Sequence, residues 1–277
     1  MNIRNFANET RKFVANKDNF YVLEYMHDSS VSPANADIEY YMSKMGVHRR
    51  QVVVKLDENH SAVVQAGAMQ WMAGDVNAKT GVKGVGDLFG KMIKGAVTGE
   101  SAIKPEYAGN GWLVLEPTYK FIILVNVEEW GSGITIEDGM FYACAGTVKT
   151  SVTAKKTLSS AALGSEGLFN MSLSGTGIAA LESNVPYDEL VEVELNNDTL
   201  KIDGNLAVCW SSSLDFTVER TTKTLIGSAA SGEGLVNVYR GTGRVLMSPV
   251  APTSSLYEST NTMSAKAAAR TSNTLGK

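Results

Sequence analysis

A stretch of chain that occurs more than once constrains a fold more than any single residue does, because each copy must bury the same face and the copies must pack on one another. Two such stretches stand out. Ser165 to Gly177 and Gly232 to Gly243 both read Glu-Gly-Leu, then an apolar run, then Gly-Thr-Gly. The Glu-Gly-Leu parts lie 67 residues apart and the Gly-Thr-Gly parts 66 apart. A β-bulge inside the apolar run absorbs the odd residue. A fainter third copy is Gly109-Asn110-Gly111-Trp112-Leu113-Val114-Leu115. A second element recurs between these. Gly67, Gly139 and Gly204 each sit between apolar runs, where hairpin or bulge glycines belong. The spacings define a unit of about 65 to 70 residues, present three times. Gly67 to Gly111 spans 44 residues, whereas Gly139 to Gly167 spans 28 and Gly204 to Gly234 spans 30, so the first unit carries an insertion.

The runs between the glycines alternate with period two. Val191-Glu192-Val193-Glu194-Leu195, Ile134-Thr135-Ile136-Glu137 and Leu200-Lys201-Ile202-Asp203 place apolar and polar residues on opposite faces. Short alternating runs bounded by glycine predict half-buried antiparallel strands. The expected fold is all-β, with one triplicated domain over residues 21–250 and units near 51–120, 121–186 and 187–250. Short helical additions are expected over Asn2 to Ala15, within an extension at residues 1–20, and over Asp87 to Val97. Residues 251–277 are rich in Ser, Thr and Ala without alternation and read as a flexible tail.

Composition bounds the function. The chain has 277 residues, 44% hydrophobic and 19% charged, enough for a sizeable core. A net charge of −4 gives no global attraction to phosphate backbones, so nucleic acid is not an expected partner. Two cysteines, Cys144 and Cys209, are too few for a disulfide framework. Counted from the turn glycines they share one position with Met72, which reads as core packing rather than catalysis. The polar start and the absence of a long apolar run predict a cytoplasmic protein, neither secreted nor spanning a bilayer, with peripheral membrane contact left open.

The chemical motifs are weak. His27, His48 and His60 lack ligand spacing, so no metal is expected. Gly84 to Gly90 falls one residue off a dinucleotide fingerprint, and Gly86 to Met92 falls short of a phosphate loop. No Gly-x-Ser-x-Gly elbow occurs. Glu166 and Glu233, beside Gly167 and Gly234, are repeat-equivalent, and a carboxylate there can accept backbone N–H bonds and fix a turn. Acid–base catalysis would need a second tuned group. The insertion groups Phe89, Met92 and Ile93 near one helical face, flanked by Lys91 and Lys94. Such a face suits a membrane surface, a partner groove or an open end of the β core.

Gln65-Ala66-Gly67-Ala68-Met69, the Gly84 to Gly95 insertion, Gly99-Glu100-Ser101 and the two Glu-Gly-Leu to Gly-Thr-Gly copies together resemble one family. It is that of the altered inheritance of mitochondria protein twenty-four, whose bacterial members form a domain of unknown function. Arg49 to Leu56, preceded by Met45, is similar to the first strand of a bacterial branch. The likeness covers about Tyr21 to Pro249. It implies strands wound as a double-stranded β-helix in three units, like the tryptophan RNA-binding attenuation protein, and it implies no catalytic residues. The expectation is a non-enzymatic scaffold or interaction protein, without cofactor, that forms homo-oligomers. The alternative is a small-molecule or metal-binding β-helix module, an unrecognised enzyme among them. Nucleic-acid binding is third.

Overall fold

At Gly67, Gly139 and Gly204 the backbone turns with φ of 81°, 73° and 70°. These are left-handed values that a Cβ disfavours, and an added Cβ at each would meet nothing within 4 Å. Conformation alone therefore accounts for glycine there. The computed structural model describes residues 2–80, 104–154, 156–157, 169–220 and 235–251. Two strands, β1 (Arg11–Lys17) and β2 (Phe20–Tyr25), and a helix α1 (Ala36–Lys44) precede the repeated part. The first unit holds β3 (Arg50–Leu56), β4 (Ala62–Val64), β5 (Met69–Lys79) and β6 (Glu106–Leu115). The second holds β7 (Phe121–Asn126), β8 (Ile134–Ile136), β9 (Phe141–Ala145), β10 (Val148–Ala154), β11 (Lys156–Thr157), β12 (Phe169–Gly175) and β13 (Ile178–Ser183). The third holds β14 (Val191–Asp203), β15 (Ala207–Ser211), β16 (Asp215–Arg220) and β17 (Leu235–Met247). The described residues are thus all-β apart from α1 and three short 3₁₀ turns.

Each unit is one long antiparallel hairpin flanked by its leading strands. In the first, β5 pairs with β6 from Met69↔Leu115 to Lys79↔Glu106. In the second, the arms are split, with β9 on β13 and β10 on β12. In the third, β15 and β16 pair with successive halves of β17. The leading strands lie on the other edge of the returning arm: β3 and β4 on β6, β7 on β13, β8 on β12 and β14 on β17. A register shift recurs at the same place in all three, at Met69/Trp71, at Ala180/Leu181 opposite Ala143 and Phe141, and at Ala207/Cys209. One extra residue there bends the strand and strengthens its twist.

The returning arms change neighbours at their Gly-x-Gly sequences. Gly175-Thr176-Gly177 carries the chain from the eight-stranded sheet into the nine-stranded one. At five of the six crossing glycines, all but Gly241, an added side chain would clash. A Cβ on Gly109 or on Gly111 would lie 2.0 Å from the carbonyl oxygen of Asp75 or Ala73, and one on Gly243 would lie 2.7 Å from the Ser211 Cβ. Gly111 therefore corresponds to Gly177 and Gly243, rather than to Gly167 and Gly234 as the Gly-Trp-Leu likeness suggests. Spans from the turn glycines become 44, 38 and 39 residues, so the first-unit insertion is only five or six residues long.

Successive units are joined by their strands. β4 pairs with β9, and β8 pairs with β15. The nine-stranded sheet also curls until the start of β3 meets the approach to β7, where Arg50 and Thr118 exchange backbone hydrogen bonds of 2.7 and 2.9 Å. The main core lies inside this curl, with Val54, Leu113, Ile136, Leu173 and Leu181 fully buried. A smaller core in the third unit contains a packed trio, Trp210, Phe216 and Tyr239, with ring centroids 5.1 Å apart.

Two expectations need correction. Residues 11–15, expected within a helix, are strand: Arg11–Lys17 is β1, at the edge of the nine-stranded sheet on β2. Lys12, Phe13 and Ala15 gain more from pairing with β2 than from a helix that would have no neighbour to bury them. The expected helix over Asp87 to Val97 lies outside the described residues, as does the expected tail beyond Ala251. Cys144 and Cys209 are both fully buried in the main core. Rung by rung, however, Cys144 matches Met72 and Trp210, whereas Cys209 matches Ala143, because the third turn places its glycine one residue earlier.

Two predictions follow from this packing. Gly109→Ala should destabilise by about 3 kcal/mol or more, since strained φ and a backbone clash combine, while Gly67→Ala should cost only about 1–2 kcal/mol. Urea unfolding of the two variants decides this; equal midpoints would refute it. Burial pushes the thiols of Cys144 and Cys209 up to about 12. Their folded pKa lies above the ordinary 9, so the thiols' contribution to stability should be constant below pH 9 and be lost between pH 9 and about 12, as only the unfolded chain ionises. Both thiols should resist a disulfide reagent at pH 8 until denaturant is added.

Candidate functional site

Polar chemistry gathers in two grooves that occupy matching places at the joints between units. The first, between units one and two, has a volume of about 400 Å3. Its walls come from the β3–β4 loop (Asn59, His60, Ser61), the end of β7 (Asn126) and the crossing Thr176-Gly177. The second, between units two and three, has a volume of about 500 Å3. Trp130 lines it from the loop after β7, Glu194 from β14, and Thr242-Gly243 from the crossing of β17.

In the first groove His60 is held between two aspartates. Its Nδ1 lies 2.7 Å from Asp57 and its Nε2 lies 3.9 Å from Asp18. The backbone N–H of Asn59, then the His60 side chain, hold the Asp57 carboxyl below its usual range. The two aspartates are on opposite sides of the ring, so they cannot share an ion with it. Among the described residues no three metal-ligating side chains converge. Ser61 Oγ donates to Glu106 at 2.7 Å rather than to His60, so the trio is not a relay for a nucleophile.

Arg244 dominates the second groove. Its guanidinium lies 4.2 Å from the Trp130 ring centroid. Nη1 donates to Glu192 at 3.1 Å and Nη2 to the Glu129 carbonyl at 2.9 Å. Ser211 Oγ accepts from the Arg244 N–H, and Ser213 Oγ donates to the Thr242 carbonyl. A planar cation stacked on an indole beside hydroxyls suits orientation of a small polar ligand.

A third feature is apolar. None of the residues of α1 is buried. Ile38, Tyr41 and Met45 follow one another at i, i+3 and i+7 and are 62%, 67% and 81% exposed, with Tyr40 beside them at 57%. Asp37 and Glu39 in the first turn and Lys44 in the last oppose the helix dipole with the favourable sign. The helix is pinned from its polar side. The Tyr119 hydroxyl donates to Glu39, and burial together with this carboxylate raises Tyr119 to about 12. The chain leaving α1 is clamped by Arg50, 3% exposed, whose Nη2 and Nη1 donate to the carbonyls of Gly46 and His48 at 3.2 and 3.1 Å. Arg50 Nε reaches Glu24 at 2.6 Å, and its guanidinium covers the Phe121 ring at 3.9 Å.

The candidate surface residues read from the sequence, Phe89, Lys91, Met92, Ile93 and Lys94, lie outside the described residues, as do Glu166, Gly167, Glu233 and Gly234. Gly67, Gly139 and Gly204 are turn positions. Neither α1 nor Arg244 was expected from sequence. The spacing of Ile38, Tyr41, Met42 and Met45, after Pro33 and Asn35, was the available signal for α1. Arg244 and Trp130 are 114 positions apart and meet only through the fold.

No helix among the described residues is long and apolar enough to cross a membrane. An uncharacterized protein of Streptococcus pyogenes serotype M6 is 27% identical over 200 residues, covering 70% of this chain and 79% of the relative. An X-ray crystal structure of another Streptococcus pyogenes protein superposes with a TM-score of 0.57 at 25% identity, covering 79% of this chain and 94% of that one. The family model for mitochondrial biogenesis AIM24 matches residues 44–250, which takes in all three units, and the chain belongs to that family.

Proposed function

We propose that this protein is a non-enzymatic interaction protein, a rigid β scaffold that carries α1 as its docking element. The observation behind this reading is the stripe of Ile38, Tyr41 and Met45, which is exposed although the helix is pinned by Tyr119 and Arg50. Tyrosine and methionine are common anchors at protein interfaces, and an exposed contiguous apolar stripe on an ordered helix is a mark of a partner surface. In this reading the three units wind as the double-stranded β-helix of the tryptophan RNA-binding attenuation protein, the chain acts in the cytoplasm, and the partner is a protein, soluble or at a membrane surface.

The test is capture from host cells by the full chain after gentle crosslinking, with membrane and soluble fractions kept apart. Tyr41→Asp combined with Met45→Asp should reduce recovery of specific partners roughly tenfold or more, since anchors of this type contribute about 1–2 kcal/mol each. Both residues are exposed, so folding should be unchanged by circular dichroism. Undiminished capture by the double variant would reject α1 as the docking element.

The Arg244–Trp130 groove favours a second reading, a small-molecule binding module. Native mass spectrometry of the purified protein then finds a stoichiometric adduct that Arg244→Ala abolishes. Identical masses for both proteins, each equal to the bare chain, count against it.

A further inference from the structure

The two joints inside the chain follow one rule. The last leading strand of a unit pairs antiparallel with the first part of the next unit's hairpin. At the first joint Ala62, Val63 and Val64 stand opposite Ala145, Cys144 and Ala143. At the second, Ile134, Thr135 and Ile136 stand opposite Ser211, Trp210 and Cys209. The rungs within each unit fix the equivalences: Ala62↔Tyr107, Ile134↔Leu173 and Leu200↔Tyr239 on one side, and Met72↔Leu113, Cys144↔Ala179 and Trp210↔Val245 on the other.

Three units make room for a third joint, between the end of β14 and the start of β5. Among the described residues it is unmade. β14 pairs with β17 alone and β5 with β6 alone. The consequence is visible in burial. Cys144 and Trp210 are 0% and 1% exposed at their joints, whereas the equivalent Met72 is 43% exposed. Ala62 and Ile134 are fully buried, whereas the equivalent Leu200 is only half-buried. Met69-Gln70-Trp71-Met72-Ala73-Gly74 carries no charge and no proline, so beyond the bulge at Met69/Trp71 this edge lacks those protections against pairing.

We propose that a second copy of this chain makes the third joint, β14 of one copy pairing antiparallel with β5 of the next. The register is set by the two internal joints: Leu200 opposite Ala73, Lys201 opposite Met72, and Ile202 opposite Trp71. The occupant is a second copy because each chain carries both halves of a joint that it already makes twice internally. The contact joins two different edges, so it is head-to-tail and generates a ring or an open chain of copies. Lys201 brings a long aliphatic stem over Met72 while its ammonium stays in water. The proposal stands apart from the role assigned to α1.

The experiment uses two full-length variants, Met72→Cys and Lys201→Cys. Both sites are exposed, the native thiols Cys144 and Cys209 are buried, and circular dichroism confirms the fold. Under mild oxidation an equal mixture should form disulfide-linked pairs at least tenfold faster than either variant alone. The variant carrying both cysteines should form a ladder of linked multimers, and the unaltered protein should sediment as a concentration-dependent multimer. Equal rates in the mixture and the single variants would overturn the proposal. So would a disulfide closing within one chain, which would mean that the edges meet in the same molecule, or sedimentation as a monomer at every concentration.

Discussion

Backbone pairing between the end of one unit and the start of the next is the constraint on which the architecture rests. A single unit is a hairpin with two flanking strands, and its apolar face cannot be covered by its own residues. The joints β4–β9 and β8–β15 solve this by making one sheet from parts of two units. They demand that each returning arm change neighbours partway along, and in the second unit both arms pass from one sheet into the other. The recurring bulge supplies the bend in the descending arm, and the Gly-x-Gly crossing supplies it in the returning arm. Bulge, crossing and joint are therefore one device repeated, and altering any of them displaces the other two.

The buried polar groups follow the same logic. Arg50 is buried where the nine-stranded sheet curls back toward β7, so its charge has left water at considerable cost. Glu24, the carbonyls of Gly46 and His48, and the Phe121 face together return that cost. The partners come from three parts of the chain, and an apolar residue of equal volume could not discriminate among them. Arg50 thus fixes the closure of the sheet and the position of α1 through one side chain. Tyr239 is the contrasting case. Its ring completes the aromatic trio of the third unit, and burial, with Glu137 nearby, drives its hydroxyl pKa upward.

Much of this frame is legible in the sequence because its causes are local. A left-handed φ favours glycine, so Gly67, Gly139 and Gly204 mark turns wherever the unit recurs. Alternation marks Ile134–Ile136 and the run Val191–Leu195 as strand, although Ile134–Ile136 is buried on both faces rather than half-buried. The misreadings have non-local causes. Arg11–Lys17 is strand because β2 offers it an edge, and no feature of its own seven residues specifies that. Cys209 is displaced from the Cys144 position because register is set across the sheet, not by counting from a glycine. Helix α1 escapes a search for buried stripes because its apolar residues face outward. Arg244 and Trp130 form a site that only the sheet-to-sheet crossing assembles.

The repeated frame also explains why the two grooves differ. A groove lies beside the crossing at the same place in successive joints, so its place follows from the repeated backbone. Their chemistry is set by residues the backbone leaves free. The rung Asn126↔Ile178 at the first groove corresponds to Glu194↔Arg244 at the second. A neutral pair beside a His60–Asp57 contact is replaced by two charged residues beside Trp130, where Arg244 pairs with Glu192. Neither exchange touches a joint or a crossing, so the chemistry of each groove can change without loss of the fold. Rigidity and adaptability occupy different residues of the same unit, and the chemistry specific to each copy collects where the frame exerts no control.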